Sequence, residues 1–286
     1  MPVATARKRG VSLIEYVADG KGADLESFVR SHAFDTFYRR RGKPCLVEGF
    51  VSSLPRGGAI GTIDEPFAAL EHAIGKANKV HCLFSGDNTH FFHGTAEHKQ
   101  CTFERVINDS LLGGSSTKLY CRLRPMPKGI SKLLGGAQCS KFADSERTAM
   151  FKEDLCACWI GSQGVVTPLH FDTCHGLLVC LHGTKRVTLF PPSDTRYLYR
   201  ADGGSVNPNS SKCGVYEDWR SKKAEARKKW SKLEECTPRE VFLRAGETLY
   251  IPPGWWHLVE GETATVALLM PFDMDSKERL HDSLLF

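Results

Sequence analysis

The sequence predicts a mainly β protein of the α+β class, with helices on its N-terminal side. Two observations carry this. From about residue 117 short apolar runs of strand length alternate with Gly and Pro turns, the texture of a β-sandwich or barrel. Upstream of that point two stretches keep helical spacing instead.

The first helical stretch covers about 22–39, where Leu25, Phe28, Val29 and Phe34 recur at roughly helical intervals. "KPCLVEGFV" then reads as a short strand. A second helix is expected over 65–77, with its Gly near the end. From there "KLYCRL", "LCACWIG", "GLLVCLHG", "KRVTLFPP", "EVFLRAG", "ETLYIPPG" and "ATVALLMPF" are strand candidates. One insertion, 199–240, interrupts the series. Within it "DWRSKKAEARKKWSKL" places Trp219, Ala226, Trp230 and Leu233 on one helical face, and seven Lys or Arg cover most of the rest. The expected organisation is an N-terminal region over 1–116, a β core over 117–272 and a short tail over 273–286.

The chain has 286 residues, 41% hydrophobic and 25% charged, as in an ordinary soluble globular protein. Its net charge of +5 permits an acidic or nucleic-acid partner without demanding one. No apolar run approaches the ~18 residues of a membrane span, and the first residues lack a secretory h-region. The eleven scattered cysteines are expected to be reduced thiols, so the protein is placed inside the cell, in cytoplasm or nucleus. Cys156 and Cys158 form a lone C-x-C, short of the four ligands a structural zinc site uses, and are expected to be buried on a strand.

The chemistry centres on "TPLHFDTCHG". His170 and Asp172 stand two apart, which on a strand puts an imidazole and a carboxylate on one face. His257, after the Pro-Pro-Gly of "LYIPPGWWHLV", is the best third ligand. Two histidines and a carboxylate leave three open positions, a set that suits non-haem Fe(II). His175 shares neither ligand's face on a regular strand and is expected to be a loop or rim histidine.

"TPLHFDTCHGLLVCLHGTKRVTLFPP" followed by "RAGETLYIPPGWWHLVE" resembles the Jumonji C (JmjC) hydroxylases, in particular small single-domain members. "FYRRRGKPCLVEGF" fits the upstream segment of the same family. The resemblance implies a double-stranded β-helix (jelly-roll or cupin) core and an Fe(II)- and 2-oxoglutarate-dependent oxygenase. It assigns His170, Asp172 and His257 to the iron. Lys185, thirteen residues after Asp172, matches the lysine that pairs with the distal carboxylate of 2-oxoglutarate. Thr167 matches a threonine bound to the same carboxylate, and Tyr120 resembles a tyrosine with that role. Trp255 and Trp256 are expected to fix His257 by packing, and Met270 to lie in the barrel core.

Two positions depart from the family pattern. Gly176 stands where many relatives carry Asn, and Ala267 where a second Asn is common on the last strand. Both departures remove polar groups near the iron. The resemblance implies hydroxylation of a protein side chain. The alternatives are an RNA nucleoside, to which the basic helix over about 219–233 would contribute phosphate contacts, N-methyl-lysine demethylation, and a non-catalytic cupin binding module. A zinc hydrolase on the same ligands would leave Lys185 without a role. The expected state is a monomer or weak dimer, with no membrane partner.

Overall fold

The computed structural model describes residues 8–9, 12–15, 31–48, 67–85, 97–114, 116–133, 155–205, 207–213, 224–274 and 276–285. In chain order the strands are β1 (Lys8–Arg9), β2 (Ser12–Glu15), β3 (Cys45–Glu48), β4 (Lys79–Ser85), β5 (Glu97–Thr102), β6 (Lys118–Leu123) and β7 (Ala157–Gly161). They continue as β8 (Val166–Phe171), β9 (His175–His182), β10 (Thr184–Phe190), β11 (Arg239–Arg244), β12 (Thr248–Ile251), β13 (Trp256–Gly261) and β14 (Thr265–Phe272). Each strand candidate after residue 117 is a strand. β4 and β5 were not expected, although Val80, Cys82 and Phe84 recur at every second position as the buried face of a strand requires.

Two sheets result. One runs β1-β11-β10-β13-β8, the other β2-β3-β12-β9-β14-β7-β6-β4-β5. From β7 to β14 the chain crosses repeatedly between them, contributing four antiparallel strands to each. This is the double-stranded β-helix of a cupin. The larger sheet then extends past the sandwich through β6, β4 and β5.

Alternation gives each sheet two distinct faces. Leu178, Cys180, Leu249 and Ala267 meet Val187, Leu189, Val241 and Leu243 in the interior between the sheets. The outer face of the large sheet presents Leu177, Val179, Val266, Leu268 and Met270 to the helical residues Phe34, Leu70, Phe103 and Ile107. Met270 therefore packs against helices rather than inside the barrel. The outer face of the small sheet carries Phe171, Phe190, Trp256 and Leu258, covered by Leu198, by Leu233 of the insertion and by Leu284. Each fully buried Leu or Phe in these clusters contributes roughly 1.5–3 kcal/mol.

The second expected helix forms over Ala68–Ile74 and stops at Gly75, whose φ of 91° suits only glycine. Of the first, Leu25, Phe28 and Val29 lie outside the described residues. What is described is a turn of α-helix at His32–Phe34, started by the Ser31 side chain, widening into a π-helix over Asp35–Arg39. The basic helix is described from Ala224 to Lys229, followed by a 3-10 turn at Ser231–Glu235. Trp219 and the basic residues at 220, 222 and 223 lie outside the described residues. Trp230 and Leu233 pack on the outer face of the small sheet, so this segment lies behind the sandwich.

Candidate metal centre

β8 and β13 form a ladder at the small sheet's edge, and its register pairs His170 with His257 and Phe171 with Trp256. The aromatic pair points outward, its rings 4.8 Å apart in an edge-to-face arrangement. Such cross-strand pairs add of order 0.2–1 kcal/mol and fix the register. The histidine pair next to it points into the sandwich, with ring centroids 4.2 Å apart.

One irregularity matters here. Between His257 and Val259 the partner changes from His170 to Thr167, so β8 has one more residue than β13 over this step. This is a β-bulge at Pro168 and Leu169. Proline has no N–H to lose from a ladder, which is why it is tolerated there. The bulge lets Thr167 and His170 both face the cavity, although strict alternation would put them on opposite faces.

Asp172 follows directly after β8. Its backbone carbonyl accepts a hydrogen bond of 2.8 Å from Gly254 N–H. Gly254 sits in the Pro252–Trp255 turn with φ of 79°, where the N–H of Trp255 reaches the Pro252 carbonyl at 3.2 Å. The "PPG" therefore carries His257 back to Asp172. Potential ligand atoms of His170, Asp172 and His257 all lie within 4.8 Å of one another, and His257 Nε2 is 3.7 Å from Asp172 Oδ2.

Both rings are oriented by backbone. His170 Nδ1 donates to the Pro168 carbonyl at 2.8 Å, and His257 Nδ1 to the Trp255 carbonyl at 2.9 Å. A carbonyl only accepts, so each proton sits on Nδ1 and each Nε2 keeps its lone pair. Burial, and next the neighbouring His170, push the His257 pKa down to about 4, while Asp172 opposes the shift. His257 is thus neutral, the form that binds a metal. Two imidazoles and one carboxylate fit a divalent cation with open positions. Trp255 and Trp256 straddle the strand: the Trp255 indole donates to the Gly42 carbonyl at 2.7 Å and the Trp256 indole to Thr195 Oγ1 at 3.0 Å.

Lys185, on β10, faces the same cavity and is only 1% exposed. Burial lowers its pKa to about 8, against smaller opposing effects from Cys180 and Cys158. Among the described residues no carboxylate pairs with it. Its ammonium lies 5.8 Å from the centre of the Tyr120 ring. The Tyr120 hydroxyl and Thr167 Oγ1 are 2.8 Å apart. Burial raises the Tyr120 pKa to about 12, although the Thr167 contact works the other way, so its hydroxyl stays protonated and able to donate. Together with the ligand triad these groups line a cavity with about 570 Å³ of empty space out to its mouth. Trp159, Leu178, Ile251, Val259 and Leu269 supply apolar wall. A buried cation without a carboxylate is costly, and an anionic ligand with a carboxylate to offer fits the space before it.

Gly176 also lines the cavity. Its φ is not left-handed, and a Cβ there would meet Leu269 Cδ1 at 3.6 Å, an ordinary contact. The backbone does not require glycine; its effect is added space beside the ligands. Ala267 is buried in the interior cluster, and on its strand Leu269 takes the place in the cavity wall.

His175 stays out of the triad as expected, but it is not a rim residue. It is 1% exposed, stacked on Phe272 at 4.5 Å, with Nδ1 2.8 Å from the Tyr250 hydroxyl and Nε2 3.1 Å from Glu278 Oε1. Arg39 grips the same Glu278 through two hydrogen bonds of 3.2 and 2.9 Å. The network fastens the tail and the π-helix to the large sheet. Sequence reasoning missed it because its members are scattered along the chain. Cys156 and Cys158 are buried thiols, and none of the described cysteines is in a disulfide.

A family model described as a cupin-like domain matches residues 31–278. The chain belongs to the cupin-like family. Among curated proteins it is 26% identical over 244 residues to JmjC domain-containing protein D of Dictyostelium discoideum, covering 79% of this chain and 51% of that one. It is 32% identical over 110 residues to Jumonji C domain-containing protein 5 of Drosophila melanogaster, covering 38% of this chain and 25% of the other. Lysine-specific demethylase JMJ30 of Arabidopsis thaliana is 32% identical over 112 residues, 38% of this chain and 24% of its own. The chain thus spans about half the first relative's length and about a quarter of the other two. No helix among the described residues is long and apolar enough to cross a membrane.

Proposed function

We propose that this cupin is an oxygenase that uses Fe(II), 2-oxoglutarate and O2 to hydroxylate a side chain of a protein substrate. The observation that carries the assignment is the placement of Lys185. A buried ammonium that has no carboxylate partner among the described residues shares one cavity with a His-Asp-His group. A metal-only function such as hydrolysis would need the triad and give Lys185 nothing to do.

Bound together, Fe(II) and 2-oxoglutarate supply the O2 activation that places an oxygen atom in a substrate C–H bond and leaves succinate and CO2. His170, Asp172 and His257 would hold the metal through Nε2, a carboxylate oxygen and Nε2. Lys185 would neutralise the distal carboxylate of 2-oxoglutarate, with the Tyr120 and Thr167 hydroxyls able to donate to it. The apolar wall of Leu178, Ile251, Val259 and Leu269 excludes water from the reacting end. Gly176 leaves room where the family pattern has Asn.

N-methyl-lysine demethylation is a second reading, supported by a demethylase among the relatives and requiring the same metal site. The test is binding and turnover. Isothermal titration with Mn(II) and then N-oxalylglycine should give sequential binding. Aerobic incubation with Fe(II) and 2-oxoglutarate should release succinate, and anaerobic incubation should not. Absence of both metal and N-oxalylglycine binding would overturn the assignment and favour a non-catalytic cupin.

A further inference from the structure

The large sheet continues beyond the cavity. β7, β6, β4 and β5 pair edge to edge, and one face of this extension packs on the helices through Val80, Cys82, Phe84, Leu119, Cys121 and Ile160. By alternation the other face carries Tyr120, which lines the cavity, and then Arg122 and, just past the strand end, Arg124. Register extends the row sideways. Arg122 lies opposite Trp159 of the cavity wall. On β4 the same face holds Lys79 and His81, and His81 pairs with Gln100 of β5. Lys118 completes it at the other end of β6.

This face is open. Lys79, His81, His98, Gln100, Arg122 and Arg124 are all exposed. No Asp or Glu stands on it among the described strand residues, since Glu97 and Lys99 of β5 project to the other side and pair with each other. Among the described strand residues Lys79, Lys118, Arg122 and Arg124 therefore stand on this face without an anion between them, and Arg122 reaches Trp159 of the cavity wall. Burial and the neighbouring Arg124 lower the Arg122 pKa, and the Asp172 carboxylate raises it.

We propose that this cationic face docks an acidic segment of a protein substrate in extended form and delivers one of its side chains to the cavity. The inference rests on the oxygenase assignment above. Charge complementarity selects the segment. Arg122 on the strand and Arg124 just past its end stand two residues apart, a spacing that alternate side chains of an extended peptide repeat. A single-stranded nucleic acid fits less well, because it needs aromatic faces on which bases stack. Trp159 is the one indole on the described face. Its ring is already contacted by Tyr120 at 5.0 Å and by the Arg122 guanidinium at 5.0 Å. Arg122 held on an indole is instead a preorganised carboxylate binder. The basic helix is a poorer candidate. Among its described side chains Lys228, Lys229 and Lys232 are flanked by Glu225, Glu234 and Glu235, and the segment lies behind the small sheet.

The test is fluorescence anisotropy on the full chain with Mn(II) and N-oxalylglycine. Its probes are a labelled twelve-residue poly-L-glutamate, poly-L-lysine of equal length, and a dodecamer of oligouridylate. Poly-glutamate should bind, with affinity falling as salt rises. Arg122→Glu with Arg124→Glu should weaken it by about tenfold or more, and Lys79→Glu should weaken it less. Lys228→Ala with Lys229→Ala should leave it unchanged. These side chains are exposed, so unaltered thermal melting will confirm folding. Tighter oligouridylate binding would overturn the proposal in favour of RNA. Poly-glutamate binding that ignores Arg122 and Arg124, or is absent, would overturn it outright. Metal and N-oxalylglycine binding, read separately in the same samples, distinguishes failure of docking from failure of the oxygenase assignment.

Discussion

His170 and His257 are register partners across β8 and β13, with ring centroids 4.2 Å apart and each Nδ1 held by a backbone carbonyl. The pair is a feature of the ladder. Phe171 and Trp256, one step along, lock the register that creates it.

Replacing either histidine should therefore remove metal binding without unfolding the chain. For His170→Ala or His257→Ala, Mn(II) affinity by electron paramagnetic resonance is expected to fall by more than ~100-fold, since even indirect partners of a metal ligand cost 10–100-fold. Retained affinity in both variants would show that the triad is not the site. Phe171→Ala is expected to weaken metal binding indirectly and to lower thermal stability by about 3–5 kcal/mol.

Lys185→Met separates two properties that usually move together. The lysine pKa falls from 10.5 to about 8 in the folded state, equivalent to about 3 kcal/mol of burial cost. Removing the charge should raise Tm by several degrees, at about 2–4 °C per kcal/mol for a chain of this order. The same variant should lose N-oxalylglycine binding by about 10- to 100-fold, with Mn(II) affinity retained. Unchanged N-oxalylglycine affinity would remove Lys185 from the cosubstrate site.

The same group predicts a pH dependence. Lys185 is charged in both folded and unfolded states below pH 8, so its full burial cost is present there. Between about 8 and 10.5 the unfolded chain still binds the proton and the folded one does not, and stability from this group rises with pH. Anion binding runs the other way, because it needs the ammonium. N-oxalylglycine affinity should decline as pH passes about 8. In Lys185→Met the component of the stability profile over this window should vanish.

The Glu278 carboxylate holds the tail to the sheet through Arg39 and His175. Glu278→Ala removes the shorter carboxylate contact of the largely buried Arg39 guanidinium, leaving Asp35 at 3.5 Å, and is expected to cost about 1.5–3 kcal/mol in denaturant unfolding. Metal binding should persist, since the network is outside the triad.

The sequence by itself determined the strands of the core, because alternation and Gly/Pro punctuation are local. Its residue pattern and its resemblance to the JmjC proteins pointed to His170, Asp172, His257 and Lys185, which line one cavity. It missed β4 and β5, where an open sheet face carries polar residues and weakens the apolar signal. Only the tertiary structure decided which faces meet. The bulge at Pro168–Leu169 turned Thr167 inward against simple alternation, a matter of pairing with β13 that β8 alone does not encode. His175, read locally as a rim histidine, was buried by partners from β12, β14 and the tail. The cationic face is likewise a product of sheet order. Lys79, Arg122 and Trp159 are distant in sequence, and lateral hydrogen bonding between β4, β6 and β7 sets them side by side.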